Sequence, residues 1–179
     1  MKKVIADTNV VLVSVGAFEA DGGCPTLQLK TWCVDLVARL MRGELELVID
    51  ENREIVEEYF KKVPQFPLGQ EFIKWLSQNI WTGPTVRRVA IHRNMVGYAE
   101  FPTDPKLAEF DLSDRKFIAV AIADRGRSTI CEATDGKWWK WAKALKSHGI
   151  RVAFGDEAFA KELCRKKNSC SGICESCDG

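Results

Sequence analysis

The sequence predicts an α/β protein, a three-layer α/β/α sandwich with a central, mainly parallel sheet. Three observations predict it. Short, largely apolar runs such as Val4-Ile5-Ala6, Leu45 to Ile49 and Ile150 to Phe154 read as strands, the first of them continuous, as in a strand buried on both faces of a parallel sheet. Longer stretches between them carry apolar residues three and four apart, the spacing of amphipathic helices. The two patterns alternate along the chain, as successive βαβ units require.

In order, Lys2 to Ala6 reads as the first strand, and Asp7, Thr8 and Asn9 end it before a second apolar run, Val10 to Val15, which reads as a short helix. A loop of small and polar residues is expected over Glu19–Pro25. Thr26 to Met41 carries Leu27, Leu29, Trp32, Cys33, Leu36, Val37 and Leu40 at mostly helical spacing, and Gly43 stands where that helix should stop. Leu45 to Ile49 is the second strand. Asp50 is placed to cap a helix over Glu51–Val63, which must end before Pro64. A further helix is expected over Phe66–Ile80 and a strand within Pro84–Ile91. His92 to Phe110, with Pro102 and Pro105, shows no periodic pattern and is assigned no element. Ser113 is expected to cap a helix through Phe117, Ile118, Val120, Ala121 and Ile122. A strand over Ser128–Ala133, a helix over Gly136–Lys146, a strand over Ile150–Phe154 and a final helix holding Phe159 and Leu163 complete the series. One domain is therefore expected over residues 1–160, followed by a polar, Cys-rich appendage over 161–179.

A chain of 179 residues suffices for one full domain and a small appendage. The net charge of +1 excludes neither a nucleic acid nor a small ligand, because recognition depends on where the charges sit. No apolar run approaches the length that spans a bilayer, so no membrane partner is expected. Lys2 and Lys3 followed by valine resemble the start of a secretory signal, but Asp7 and Asn9 break the apolar stretch. With no such signal, an odd total of seven cysteines argues against a disulfide framework, and the cytoplasm is the expected compartment.

Acids occupy comparable places along this pattern. Asp7 ends the first strand, Asp135 follows the strand over Ser128–Ala133, Asp114 begins a helix, and the helix over Glu51–Val63 carries Glu51, Glu54, Glu57 and Glu58. Each has a structural explanation. Asp7 and Asp135 suit helix caps, and Asp114 in a first turn gains about 0.3–1 kcal/mol from the macrodipole. A run of glutamates is ordinarily a solvated face. A helical wheel puts Glu54 opposite the stripe of Ile55, Val56, Tyr59, Phe60 and Val63, with Glu57 and Glu58 on its two flanks. A ligand must emerge at the margin of the stripe, which disfavours Glu54 and leaves Glu57 and Glu58 unseparated. Together, however, these acids fall near the carboxyl edge of the sheet, where open α/β folds bind ligands. Carboxylates gathered there repel unless a cation compensates. An all-oxygen donor set selects Mg²⁺ or Mn²⁺.

Four motifs carry a resemblance to a known family: Val4-Ile5-Ala6-Asp7-Thr8-Asn9, Ile55-Val56-Glu57-Glu58-Tyr59, Ser113-Asp114-Arg115-Lys116-Phe117-Ile118-Ala119-Val120-Ala121 and Ala133-Thr134-Asp135. In order and spacing the chain, from its start to about residue 155, resembles the PIN-domain nucleases, metal-dependent ribonucleases built on a parallel sheet flanked by helices. The resemblance implies that Asp7, Glu58, Asp114 and Asp135 form the acidic, metal-binding cluster, and the acid before the tyrosine settles Glu58 over Glu57. Asn9 and Thr134 would be polar supports. The implied activity is hydrolysis of RNA phosphodiesters with Mg²⁺ or Mn²⁺. RNA is the implied substrate, with an antitoxin or other protein, or a second copy of the chain, as the expected further partner. The stretch between Glu58 and Asp114 is longer than in compact toxin members of the family, and the cysteine tail lies outside its pattern, so both toxin and RNA-processing roles stay open.

Arg115 and Lys116 adjoin Asp114 and are the expected phosphate contacts. Lys137, Trp138 and Trp139 follow Asp135 and offer charge with base stacking, although Trp138, Trp141 and Leu145 lie at helical spacing and read better as core. Cys164, Cys170, Cys174 and Cys177 suit a structural Zn²⁺ site. Their spacing lacks paired knuckles, so a redox-active or plain thiol tail is the alternative. Two rival functions stand beside the nuclease. One is a phosphatase of the haloacid-dehalogenase kind, which wants a second acid where Asn9 stands. The other is a PIN-like module that binds RNA or protein without catalysis.

Overall fold

A computed structural model of the chain describes residues 1–17 and 24–169. Five strands form one parallel sheet in the order β3-β2-β1-β6-β7, from β1 (Lys2–Ala6), β2 (Leu45–Asp50), β3 (Val86–Val89), β6 (Ser128–Glu132) and β7 (Arg151–Phe154). Helices α1 (Thr8–Ser14), α2 (Leu27–Met41), α3 (Glu54–Lys62), α4 (Pro67–Asn79), α5 (Arg115–Ala123), α6 (Lys137–Ser147) and α7 (Glu157–Ser169) alternate with the strands and flank the sheet. This is the α/β architecture the apolar runs predict. The sheet is continuous at β1, whose residues pair with β2 on one side and with β6 on the other, Val4 standing level with Leu47 and Thr129. Successive connections run outward from β1 in one direction to β3, then cross to β6 and β7. The carboxyl ends of β1 and β6 therefore form the topological switch point, the usual ligand crevice of such a sheet.

Burial explains why these runs become strands. Ile5, Leu47, Ile49 and Ile130 are fully buried and share one hydrophobic core with Leu29, Val37 and Leu40 of α2, Phe72 and Leu76 of α4, and Phe117 and Ile118 of α5. Each such side chain contributes about 1.5–3 kcal/mol on leaving water. Thr26 caps α2 by accepting the Leu29 amide at 3.1 Å, and Gly43 ends that helix with φ of 73°, a conformation glycine adopts without strain. Among the described residues no helix is long and apolar enough to cross a membrane.

Several elements depart from the expected boundaries. Asp50 does cap α3, its carboxylate accepting the amides of Glu54 and Ile55 at 2.8 and 2.9 Å. The helix nevertheless starts at Glu54, not Glu51, because Arg53 turns the chain through the left-handed region, φ 68°. The stretch His92–Phe110, which showed no periodicity, holds a two-stranded hairpin, β4 (Arg93–Asn94) with β5 (Gly97–Tyr98), and a 3₁₀ turn over Pro105–Leu107. It is held by tertiary contacts. Arg93 and Tyr98 bond Glu54, and Phe110 packs on Trp138 and Trp141 with centroids 5.0 and 5.1 Å apart. Glu54 is thus covered by the hairpin.

The proposed division at residue 160 passes through α7, whose Ala160, Leu163 and Cys164 are buried with the rest of the core. A Cβ on Gly136 would stand 2.5 Å from the Cys164 amide nitrogen, so α7 lies hard against the turn that begins α6. The expected loop over Glu19–Pro25 falls largely outside the described residues, as do Cys170, Cys174 and Cys177.

Candidate active site

Asp7 follows the last residue of β1 and is the N-cap of α1, its Oδ1 accepting the Asn9 amide at 2.8 Å. The backbone there is held from two sides. The Asp7 amide donates to the Cys131 carbonyl of β6 at 2.9 Å, and the Tyr59 hydroxyl donates to the Ala6 carbonyl at 2.5 Å. Tyr59 is fully buried, and burial raises its phenol well above the ordinary value, so it stays a proton donor. Asp7 itself is only 5% exposed. Burial first, then the carboxylates of Asp114, Glu58 and Asp135, push its pKa from 3.8 to about 7 against the opposing Asn9 amide. Asn9, expected as a polar support, contributes that backbone N–H.

Glu58 reaches the cluster from α3. Its Oε1 accepts the Thr8 hydroxyl at 2.9 Å and meets Lys62 Nζ at 2.7 Å, and its Oε2 meets Lys116 Nζ at 2.6 Å. Burial would raise its pKa, but the bonds from Lys116, Lys62 and Thr8 prevail and hold it below the usual range. Glu57 is exposed, so the contact with Thr8, the neighbour of Asp7, separates the two glutamates where the helical wheel did not.

Asp114 is the N-cap of α5, one residue later than the expected Ser113. The Ser113 hydroxyl instead lies 3.0 Å from Asp111 Oδ1 and 3.1 Å from Asp114 Oδ1, where its single proton serves one carboxylate at a time. Burial, Asp135 and Asp111 push the Asp114 pKa to about 6, with Ser113 and Lys116 opposing. Asp135 stands in the turn between β6 and α6, its Oδ1 accepting the Lys137 amide at 3.0 Å. Asp7 therefore feels the other three expected acids, and Asp114 feels Asp135, at the carboxyl edge of β1 and β6.

The sequence reading missed a fifth acid. Glu132, the last residue of β6, is fully buried, and its Oε1 accepts the amides of Ala133, Thr134 and Asp135 at 2.9, 3.2 and 3.1 Å. Burial and Asp7 raise its pKa well above the carboxylate range. One signal pointed to it: like Asp7, it is an acid at the end of a buried strand. Glu132 Oε2 and the hydroxyl of buried Thr134 have no hydrogen-bond partner among the described residues.

The expected phosphate contacts lie differently. Arg115 is buried and donates to the carbonyls of Phe110, Val96 and Ala108 at 3.2, 2.7 and 2.7 Å, with its guanidinium over Phe101. It ties the 96–110 stretch to α5. Lys116 is also buried, between Glu58 and the Ser113 carbonyl at 2.5 Å. Two more exposed lysines feel the cluster: Lys62, bonded to Glu58, and Lys137, 3.3 Å from Asp111. Trp138 and Trp141 are core, as their spacing suggests, and Trp139 packs on Phe154 at 5.1 Å. His92 and His148 pair with Glu100 and Asp104.

The donor set fits a hard divalent cation in kind: every candidate ligand is oxygen, and burial with mutual repulsion disfavours the ionised cluster unless positive charge joins it. No group of three or more His, Cys, Asp or Glu among the described residues meets the geometry of a ready metal site. Compared with protein-family models, with curated proteins and with solved structures, the chain matches none.

Proposed function

We propose that the chain is a PIN-like endoribonuclease that hydrolyses RNA phosphodiesters with Mg²⁺ or Mn²⁺. The observation that carries this reading is the gathering of Asp7, Glu58, Asp114 and Asp135 at the switch point of a parallel sheet, where burial first and neighbouring carboxylates second push Asp7 to about 7 and Asp114 to about 6. Asp7, Asp114 and Asp135 would hold the cation. Once bound, it would lower the pKa of a water and offset charge on the leaving oxygen. The chain's own residues do the rest. Asn9 and Tyr59 fix Asp7 and the end of β1, while Lys116 and Lys62 neutralise Glu58 and leave it beside Thr8 to orient a water. Lys62 and Lys137, both half exposed, stand where incoming phosphates would meet positive charge.

A second reading, a PIN-like module that binds RNA without cutting it, is favoured by one feature: Glu58 already has two lysine partners. Incubating a mixed single-stranded RNA with purified protein in Mn²⁺, Mg²⁺ or chelator, beside Asp7→Asn and Asp114→Asn, separates them. Metal-dependent cleavage that both variants lose supports the nuclease. RNA retention without cleavage or Mn²⁺ uptake refutes it in favour of the binding module.

A further inference from the structure

Glu132 does for the β6–α6 turn what the four expected acids cannot. One carboxylate oxygen, fully buried, takes the amides of three consecutive residues, and the third of them belongs to Asp135. The turn is clamped from its other end as well. Gly136 leaves no room for even a Cβ against the backbone of α7, and the Lys137 amide donates to Asp135 Oδ1 at 3.0 Å. The peptide planes that carry Thr134 and Asp135 are therefore fixed by a side chain at one end and a helix at the other. Three amides converging on one acceptor demand a carbonyl-type oxygen at that place. An apolar residue of equal volume would fill the space and leave the amides unsatisfied.

We propose that Glu132 is a positioning residue, which shapes the Ala133–Asp135 turn and thereby sets where Asp135 and Thr134 stand beside Asp7. The proposal rests on the cation-binding reading above. Glu132 touches neither substrate nor cation; it acts through the turn. Its bonds come from backbone amides, so its role calls for an oxygen acceptor and not for a negative charge. Glutamine can supply that oxygen; methionine cannot.

The test compares wild type, Glu132→Gln and Glu132→Met by amide hydrogen exchange and by calorimetric titration with Mn²⁺ alone. In wild type the amides of Ala133, Thr134 and Asp135 should exchange slowly although they lie in a turn, and Glu132→Gln should keep both that protection and the Mn²⁺ affinity. Glu132→Met should lose the protection at those three positions, with β1 and β6 unchanged, and should bind Mn²⁺ about 10–100-fold more weakly, as loss of a ligand's supporting partner does elsewhere. Three fast-exchanging amides in wild type would overturn the proposal even if Glu132→Met failed to fold. So would a folded Glu132→Met with wild-type Mn²⁺ affinity, or a Glu132→Gln that keeps the slow amides yet loses the ion. A wild type that takes up no Mn²⁺ but shows the glutamate-dependent protection sinks the cation reading and leaves the grip on the turn standing.

Discussion

Replacing Asp7 by asparagine should abolish cleavage and stabilise the fold, and the stabilisation should depend on pH in a direction set by the burial of Asp7. The folded protein keeps the Asp7 proton up to about pH 7, whereas an unperturbed carboxyl loses it near 3.8. Between those values the folded state binds the extra proton, so this part of the stability is present below 3.8 and is lost as pH rises toward 7. Moving the pKa from 3.8 to about 7 corresponds to roughly 4 kcal/mol at full ionisation. That is an upper bound for Asp7 alone, because Asp114 shares the repulsion. Asparagine carries no charge, and its Oδ1 can still accept the Asn9 amide that caps α1. The gain of Asp7→Asn over wild type should therefore be at most roughly 2 kcal/mol near pH 5 and grow by a further roughly 2–3 kcal/mol by pH 8. Urea unfolding of both proteins at the two pH values, in chelator, measures it. A variant less stable than wild type at pH 8, or a gain that does not change with pH, would refute the account of Asp7 as a carboxylate forced into a repelling, desolvated cluster.

The same electrostatics sets how cation uptake responds to acid. Mn²⁺ affinity should rise with pH through about 6 and 7, where Asp114 and Asp7 lose their protons, and flatten above; titrations in buffers of different ionisation enthalpy at pH 6.5 should show proton release. Lys116→Met removes the Nζ that joins Glu58 to the Ser113 carbonyl. It should cost about 1–3 kcal/mol in urea unfolding, with much of the loss recovered when Glu58→Gln is added. Arg115→Lys cannot bridge the carbonyls of Val96, Ala108 and Phe110 together and should cost about 2–3 kcal/mol while leaving the salt dependence of RNA binding unchanged. A salt slope reduced by about one would restore Arg115 as a phosphate contact.

Most of the architecture was legible because burial leaves short, largely apolar stretches at β1, β2 and β7 between longer stretches of helical period, and Ile130 and Cys131 mark β6 in the same way. The hairpin over 93–98 was not legible. It is held by Arg115, which donates to the Val96 carbonyl, and by Glu54, which bonds Arg93 and Tyr98; both are distant in sequence and impose no local period. The contacts of Arg115 were hidden for a related reason. Next to Asp114 in a first helical turn it looks exposed, and only the fold of the unassigned stretch beneath it reveals three carbonyls waiting for a guanidinium. Asp7, Asp114 and Asp135 were identified from their places at element ends, whereas Glu132 was hidden because the sequence treats it as part of a buried strand. The assignment of Asp50 as a cap survived a misplaced helix start, since a carboxylate can reach past a left-handed residue to the next free amides.

The central place of β1 also bears on how the protein is made. Its pairing with β2 becomes available early in synthesis, but its other edge stays open until β6 has left the ribosome, and Asp135 emerges after that. An unpaired parallel edge is exposed to wrong partners during that interval. Under the proposed ribonuclease reading the delay has a protective side, because the chain is born beside ribosomal RNA. Asp7, Glu58 and Asp114 can all be translated while the turn that carries the last acid is still inside the exit tunnel, so the acidic site is incomplete until the fold is nearly finished.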